Sequence, residues 1–280
     1  MNKFLKLSTS VIAIITLATS SQILISQNIP EVTPENKVLQ APDALHNLLT
    51  YPVLFHQTSA EYRALCYQAF NAAKTHLESI LPNRPNGEKW AIITDVDETM
   101  VDNSYMEAML VKKGLEYNSK FWREWVEMSV ATEIPGAVDF MKWAASKGIE
   151  IFYVSNRKVS DVPPTVKNLK NLGFPFADET HTLFMDKVSS KEIRRDLVSG
   201  KFKLVMLMGD NLNDFSNVFE KRNVADRLAE VDKTRSEWGS RFIVIPNAIY
   251  GEWESALYDY NRNLTPEQKN AKLLEKLKAY

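Results

Sequence analysis

Trp90-Ala91-Ile92-Ile93-Thr94-Asp95-Val96-Asp97-Glu98-Thr99-Met100-Val101-Asp102-Asn103-Ser104 is the stretch from which the fold can be read. Four apolar residues in a row, without the alternation of a half-exposed strand, predict a fully buried parallel strand. That strand runs directly into two acids, Asp95 and Asp97. In open α/β sheets the ligand crevice lies beyond the carboxyl ends of the strands, so both acids are expected to face a substrate rather than a core. Two carboxylates two residues apart repel each other unless a cation or a shared proton lies between them, and for a hard, oxygen-ligated cation magnesium is the natural choice. A bare Asp-x-Asp-x-Thr is a weak signal, and it gains weight only from matching groups at other strand ends.

Three further strand ends carry polar groups suited to the same chemistry. Ile149-Glu150-Ile151-Phe152-Tyr153-Val154 runs into Ser155-Asn156-Arg157, a hydroxyl, an amide and a guanidinium suited to phosphate oxygens, although the triplet also reads as an ordinary turn. Lys203-Leu204-Val205-Met206-Leu207-Met208 ends in Gly209-Asp210, with Asp214 four residues on, and the glycine allows close backbone approach. Arg241-Phe242-Ile243-Val244-Ile245 leads into Pro246-Asn247 and Tyr250-Gly251. A short strand, Thr182–Met185, precedes a helix start at Ser189-Ser190-Lys191-Glu192, with Ser189 or Ser190 as its cap. A lysine in the first turn opposes the helix dipole, a penalty that a nearby anion removes, which favours Lys191 over its competitor Lys187 as a phosphate partner.

The remainder is ordinary in composition: 280 residues, 45% hydrophobic, 25% charged, formal net charge -1. That balance gives no global attraction to nucleic acid or anionic membrane, so any phosphate affinity must be local. Residues 1–26 have the pattern of an export signal or amino-terminal anchor, with Lys3 and Lys6 ahead of an apolar run and Ala18-Thr19-Ser20 as a small-residue cleavage site, and 27–40 read as a linker. The single cysteine, Cys66, lies in a helical pattern and reads as a buried hydrophobe. Residues 41–89 are expected to supply helices ahead of the sheet, in a domain spanning 41–280. A segment at about 103–134, with an amphipathic helix around Trp122 and Trp125, is expected to form a small cap.

In order, Asp95-Val96-Asp97-Glu98-Thr99, Ser155-Asn156-Arg157, Lys191, and Gly209-Asp210 with Asp214 resemble the haloacid dehalogenase-like (HAD) superfamily, and more narrowly the bacterial class C acid phosphatases with four catalytic aspartates. The narrower likeness extends to Gln57-Thr58-Ser59-Ala60-Glu61-Tyr62, Asp102-Asn103-Ser104 and Pro246-Asn247 with Tyr250-Gly251. The resemblance implies a doubly wound parallel α/β sheet with a small helical cap and an amino-terminal helical extension. It implies Mg²⁺-dependent hydrolysis of small phosphate monoesters, nucleoside 5'-monophosphates included. Asp95 is then the nucleophile that takes the phosphoryl group, and Asp97 the acid and base. Asp95, Asp210, the backbone carbonyl of Asp97 and, through water, Asp214 would hold the metal. Ser155, Asn156, Arg157 and Lys191 would bind phosphate, with Trp122 and Tyr250 around the leaving group. Other readings are a phosphotransferase using the same intermediate, or a non-catalytic surface binding protein on this fold. No nucleic-acid polymer is expected as partner, and self-association is left open. Several relatives carry a lipid-anchoring cysteine that this chain lacks, so a periplasmic or secreted enzyme is expected rather than a lipoprotein.

Overall fold

Every residue of Trp90–Thr94 is buried, a condition met only where helices cover both faces of a sheet. The computed structural model describes residues 41–280. The readings made for residues 1–26 and 27–40 lie outside them. The chain opens with helices α1 (Ala41–Thr58) and α2 (Ala60–Ile80), then β1 (Trp90–Thr94), β2 (Val101–Asp102), α3 (Ser104–Lys113), α4 (Ser119–Met128) and β3 (Thr132–Glu133). Next come α5 (Ala137–Ser146), β4 (Ile149–Lys158), α6 (Val162–Leu172), β5 (Thr182–Met185), α7 (Glu192–Ser199) and β6 (Lys203–Gly209). The chain closes with α8 (Val224–Lys233), β7 (Phe242–Val244), α9 (Glu252–Leu257) and α10 (Pro266–Lys276).

The main sheet has the order β5-β4-β1-β6-β7, all pairings parallel. From β1 the chain first builds outward through β4 and β5, then returns to β6 and β7 on the other side. The strand order therefore reverses between β1 and β6, and at that switch point a doubly wound sheet opens its crevice. Alternate residues of each strand go to opposite faces. Trp90 and Ile92 join Ile151, Tyr153, Met206, Met208 and Ile243 in one core, covered by α2 and α5. Ala91 and Ile93 join Phe152, Val154, Leu207 and Phe242 in the other, with Val198 of α7 and Phe215 and Phe219 beyond β6. The expected doubly wound α/β sheet is the fold observed.

The segment between β1 and α5 rises from the carboxyl end of β1. Val101 pairs with Glu133 and Asp102 with Thr132 in a two-stranded antiparallel ribbon, and α3 and α4 are carried on its far side. Glu98, the residue that turns the chain into this ribbon, is wholly buried with φ of 51°. A non-glycine residue is held there only by its surroundings. Its carboxylate accepts from the Asn103 backbone N–H at 2.7 Å and from Asn103 Nδ2 at 3.2 Å.

One local expectation is corrected. Helix α7 begins at Glu192, with Lys191 itself as its N-cap residue, rather than at a Ser189 or Ser190 cap. Lys191 is therefore not in the first turn. The Ser190 hydroxyl still accepts from Glu192 N–H, but at 3.4 Å, and it donates to Glu220 at 2.6 Å. That stronger charge-assisted partner takes the hydroxyl away from the helix end.

Candidate active site

The sheet delivers Asp95 and Asp210 to adjacent strand ends. Asp95 N–H still bonds Met208 carbonyl at 2.9 Å, so the nucleophile candidate is anchored in the ladder itself. Gly209 is obligatory at the next strand end. A Cβ there would fall on the side chain of Asp214, far inside van der Waals contact, so only glycine lets that carboxylate fold back over the strand. Asp214 is fixed there by the Asn211 backbone N–H at 3.0 Å.

Asp95, Asp210 and Asp214 each present a carboxylate oxygen within 4.8 Å of the others. Lys191, 5% exposed, donates to Asp95 and lies 2.6 Å from Asp214. Burial alone would depress its ammonium, but the Asp214 and Asp95 carboxylates outweigh it and hold the lysine above its ordinary value. One cation does not balance three buried acids. Burial pushes Asp95 up to about 7 despite Lys191, with Asp214 and Asp97 adding to the rise. Burial and the Asp214 and Asp95 charges likewise push Asp210 well above the usual carboxylate range. Such a surplus of converging carboxylate oxygens fits a hard divalent cation. Asp210 is oriented for it by Asn247 Nδ2 at 2.8 Å and Thr99 Oγ1 at 3.3 Å.

Asp97 points elsewhere. Its carboxylate accepts a forked pair from Arg157, Nη2 to Oδ1 at 2.7 Å and Nε to Oδ2 at 3.2 Å, together with Asn103 Nδ2 at 2.8 Å and Ser155 Oγ at 3.2 Å. Two acids from one strand end thus occupy separate environments, one among carboxylates and a lysine, the other among neutral and cationic donors.

The remaining sequence candidates divide. Ser155 and Arg157 are buried at the end of β4, and Arg157 is also tied to Thr165 Oγ1 at 2.8 Å. In this arrangement its guanidinium is engaged by Asp97. Asn156 is exposed, and its Oδ1 accepts from Arg194 at 2.7 Å. Trp122 lies over the Arg157 guanidinium, 5.2 Å from ring centroid to Cζ, and is 6.5 Å from the Tyr117 ring. Trp125 faces inward, its indole N–H donating to Asn103 Oδ1 at 2.8 Å. Tyr250 is half-buried, next to Gly251, whose Cα faces Asn211 beside the Asp210 loop.

Sequence reading missed Arg194 as a site residue. It is 8% exposed and donates to the carbonyls of Ser155, Ser189 and Ser190 as well as to Asn156, stapling the end of β4 to the turn that carries Lys191. Two consecutive arginines in an amphipathic helix look solvated from sequence, and nothing in the pattern marks which one turns inward.

The sequence matches the family described as HAD superfamily, subfamily IIIB (acid phosphatase), over residues 12–253. The fold superposes on the class C acid phosphatase from Bacillus anthracis with a TM-score of 0.80 at 38% identity, over 86% of this chain and 100% of that one. A second structure of a Bacillus anthracis class C acid phosphatase, with tungstate bound, gives 0.81 at 40% identity over 84% of this chain and 99% of that one. A catalytic-type cluster at the switch point, a family match over most of the length and two near-complete structural matches agree, and the chain belongs to the HAD subfamily IIIB acid phosphatases, hydrolases of phosphate monoesters.

Proposed function

We propose that this enzyme hydrolyses small phosphate monoesters, nucleoside 5'-monophosphates among them, in two displacements through a phosphorylated Asp95. The observation that carries this reading is the separation of the two motif acids. Asp95 sits beside Lys191 in the carboxylate cluster, whereas Asp97 is held apart by Arg157, Asn103 and Ser155. Environments that differ this much assign different roles to paired acids. Asp95 Oδ attacks phosphorus and the bond to the ester oxygen breaks. Asp97 gives its proton to that departing oxygen. Water then attacks the phosphoaspartate, Asp97 takes a proton from it, and the bond from phosphorus to Asp95 breaks to release phosphate. Lys191 and the Ser155 hydroxyl hold the non-bridging oxygens throughout, and Lys191 offsets charge that grows on them. Mg²⁺ is the cation assigned to Asp95, Asp210, the Asp97 carbonyl and, through water, Asp214, and it would supply neutralisation of the phosphoryl oxygens. The tungstate in a Bacillus anthracis relative supports an oxyanion site of this kind, since tungstate shares the charge and tetrahedral shape of phosphate.

Turnover of p-nitrophenyl phosphate tests the core of the reading. It should vanish in EDTA, return with Mg²⁺, and be absent in Asp95→Asn while the variant keeps its thermal transition. Residual turnover above background in Asp95→Asn would overturn it. Leaving-group recognition is assigned to Trp122 and Tyr250, because stacking on a base contributes about 1–3 kcal/mol without selecting among bases. Tyr250→Ala should raise KM for nucleoside monophosphates at least tenfold more than for p-nitrophenyl phosphate, and an equal rise for both would return Tyr250 to packing. Export to the periplasm or medium completes the proposal. No described helix is long and apolar enough to cross a membrane.

A further inference from the structure

We infer that the cap helix α4 sets the orientation of Asp97 through a relay from Trp125 to Asn103, making these two positioning residues for proton transfer to the leaving group. The inference rests on the proposed role of Asp97 as the acid. It concerns residues that the resemblance leaves without a role.

The relay follows from the donor and acceptor inventory. An indole N–H only donates, so the Asn103 atom it meets at 2.8 Å must be the carbonyl oxygen. The other end of the amide is then the NH₂, and it lies 2.8 Å from Asp97 Oδ1 and 3.2 Å from Glu98 Oε2. A flipped amide would set two donors against each other at Trp125 and a carbonyl oxygen against two carboxylates at the opposite end. Trp125 therefore decides which face of Asn103 reaches Asp97. Asn103 is wholly buried, and its backbone is pinned by the Glu98 carboxylate at 2.7 Å, so its side chain has no solvent to fall back on. Arg157 Nη2 is the remaining neighbour of the Asn103 oxygen, at 3.4 Å, too long to replace the indole.

The same helix supports the second side of Asp97. Trp122 precedes Trp125 by three residues, which places both on one face of α4. Its ring lies over the guanidinium of Arg157, the residue that forks onto Asp97. One helix face thus supports both Asn103 and Arg157, and through them both oxygens of a single carboxyl. A carboxyl that must present one particular oxygen to an ester oxygen and later to a water gains from such bracing, because a misplaced proton donor loses most of its effect.

The test uses leaving groups. p-Nitrophenolate departs without a proton, whereas a simple alkoxide does not, so loss of acid positioning should fall on alkyl phosphates. kcat/KM for a series from p-nitrophenyl through phenyl to alkyl phosphates is measured for the full chain, Trp125→Phe, Asn103→Ala and Asp97→Asn, with thermal transitions recorded alongside. Trp125→Phe keeps the ring packing and removes only the donor. It should lower kcat/KM for alkyl phosphates about tenfold or more and for p-nitrophenyl phosphate less than threefold, and Asn103→Ala should follow the same slope more steeply. Losses equal across the series in both variants, or no loss in either, would overturn the relay. If Trp125→Phe is poorly folded, Asn103→Ala decides alone. Asp97→Asn separates the two levels: a steep slope there with flat slopes in the other two defeats the relay and leaves the acid assignment standing, whereas a flat slope in Asp97→Asn removes both.

Discussion

Asp95, Asp210 and Asp214 are held at a distance where like charges oppose folding, and Lys191 offsets only part of that repulsion. The arrangement costs stability in the absence of a cation and gains it when one binds. Mg²⁺ should therefore raise the thermal midpoint of the metal-free protein, by an amount corresponding to about 2.7 kcal/mol at a hundredfold excess over its Kd. Asp210→Asn should raise the metal-free midpoint, because one buried charge is gone, and lose most of the Mg²⁺ response. Differential scanning fluorimetry over a Mg²⁺ titration checks both, and a lower metal-free midpoint in Asp210→Asn would count against the charge argument. Gly209→Ala tests the geometry rather than the charge. Its Cβ would land on the Asp214 carboxylate, so turnover should fall at least a hundredfold, with a stability loss of about 1–3 kcal/mol from the forced backbone shift. At this scale the acids and Lys191 are legible in the sequence, because a buried strand that ends in Asp leaves little else for the residue to do. Asn103, Trp125 and Arg194 are not. Their contacts cross between segments far apart in the chain, and each has an unremarkable reading as turn, core tryptophan or surface arginine.

Among the elements, the strands were the easier to read. A continuous apolar run has one explanation in an α/β chain, and the strands read at Ile149–Val154, Thr182–Met185 and Lys203–Met208 match β4, β5 and β6 to within a few residues at their ends. The ribbon of β2 and β3 escaped, since two residues a side carry no periodicity, and α8, a charged surface helix with Arg227 as its buried residue, gives almost no amphipathic signal. The contact between α3 and α9 has a consequence for pH. Burial and, secondarily, the neighbouring Glu254 push Glu107 from its ordinary 4.5 to about 7, and burial raises Glu254 as well, with Lys269 opposing. A carboxyl whose folded value is raised holds its proton more tightly in the native state than in the unfolded chain, so stability is greatest below about pH 4.5 and declines as pH rises toward 7. Glu107→Gln abolishes that dependence. It should stabilise the protein by on the order of 1–3 kcal/mol at pH 8 and by almost nothing at pH 4.5. Thermal midpoints at the two pH values measure this, and an equal effect at both would exclude the titration of Glu107 as the cause.

Over the whole molecule, the helices that precede β1 are part of the main core. Tyr62, Cys66, Phe70, Ala73 and Leu77 recur along α2 at spacings of three and four, each at most 4% exposed, and they lie in the same cluster as Trp90, Ile92 and Ile151. Phe70 also meets Phe140 of α5 at 5.7 Å between ring centroids. Helix α2 thus closes one face of the sheet whose carboxyl edge bears the site, and α1 reaches the ribbon, Gln57 Nε2 bonding Ser104 Oγ at 3.1 Å. Cys66, wholly buried, takes the apolar role that its helical context suggests, and burial raises its thiol to about 11, leaving no accessible thiolate near neutrality. Because α2 seals the core without contributing a catalytic group, its loss should reduce stability and spare the chemistry. Phe70→Ala removes a buried ring and should lower the unfolding free energy by about 3–5 kcal/mol, seen as a lower urea midpoint at nearly unchanged slope. Leu65→Ala, on the 42%-exposed side of the same helix, should stay within about 0.5 kcal/mol. Both variants should retain full kcat/KM on p-nitrophenyl phosphate when assayed well below their transitions. A large drop in kcat/KM for fully folded Phe70→Ala would instead mean that α2 shapes the strand ends directly, and that the helices before β1 belong to the active site as well as to the core.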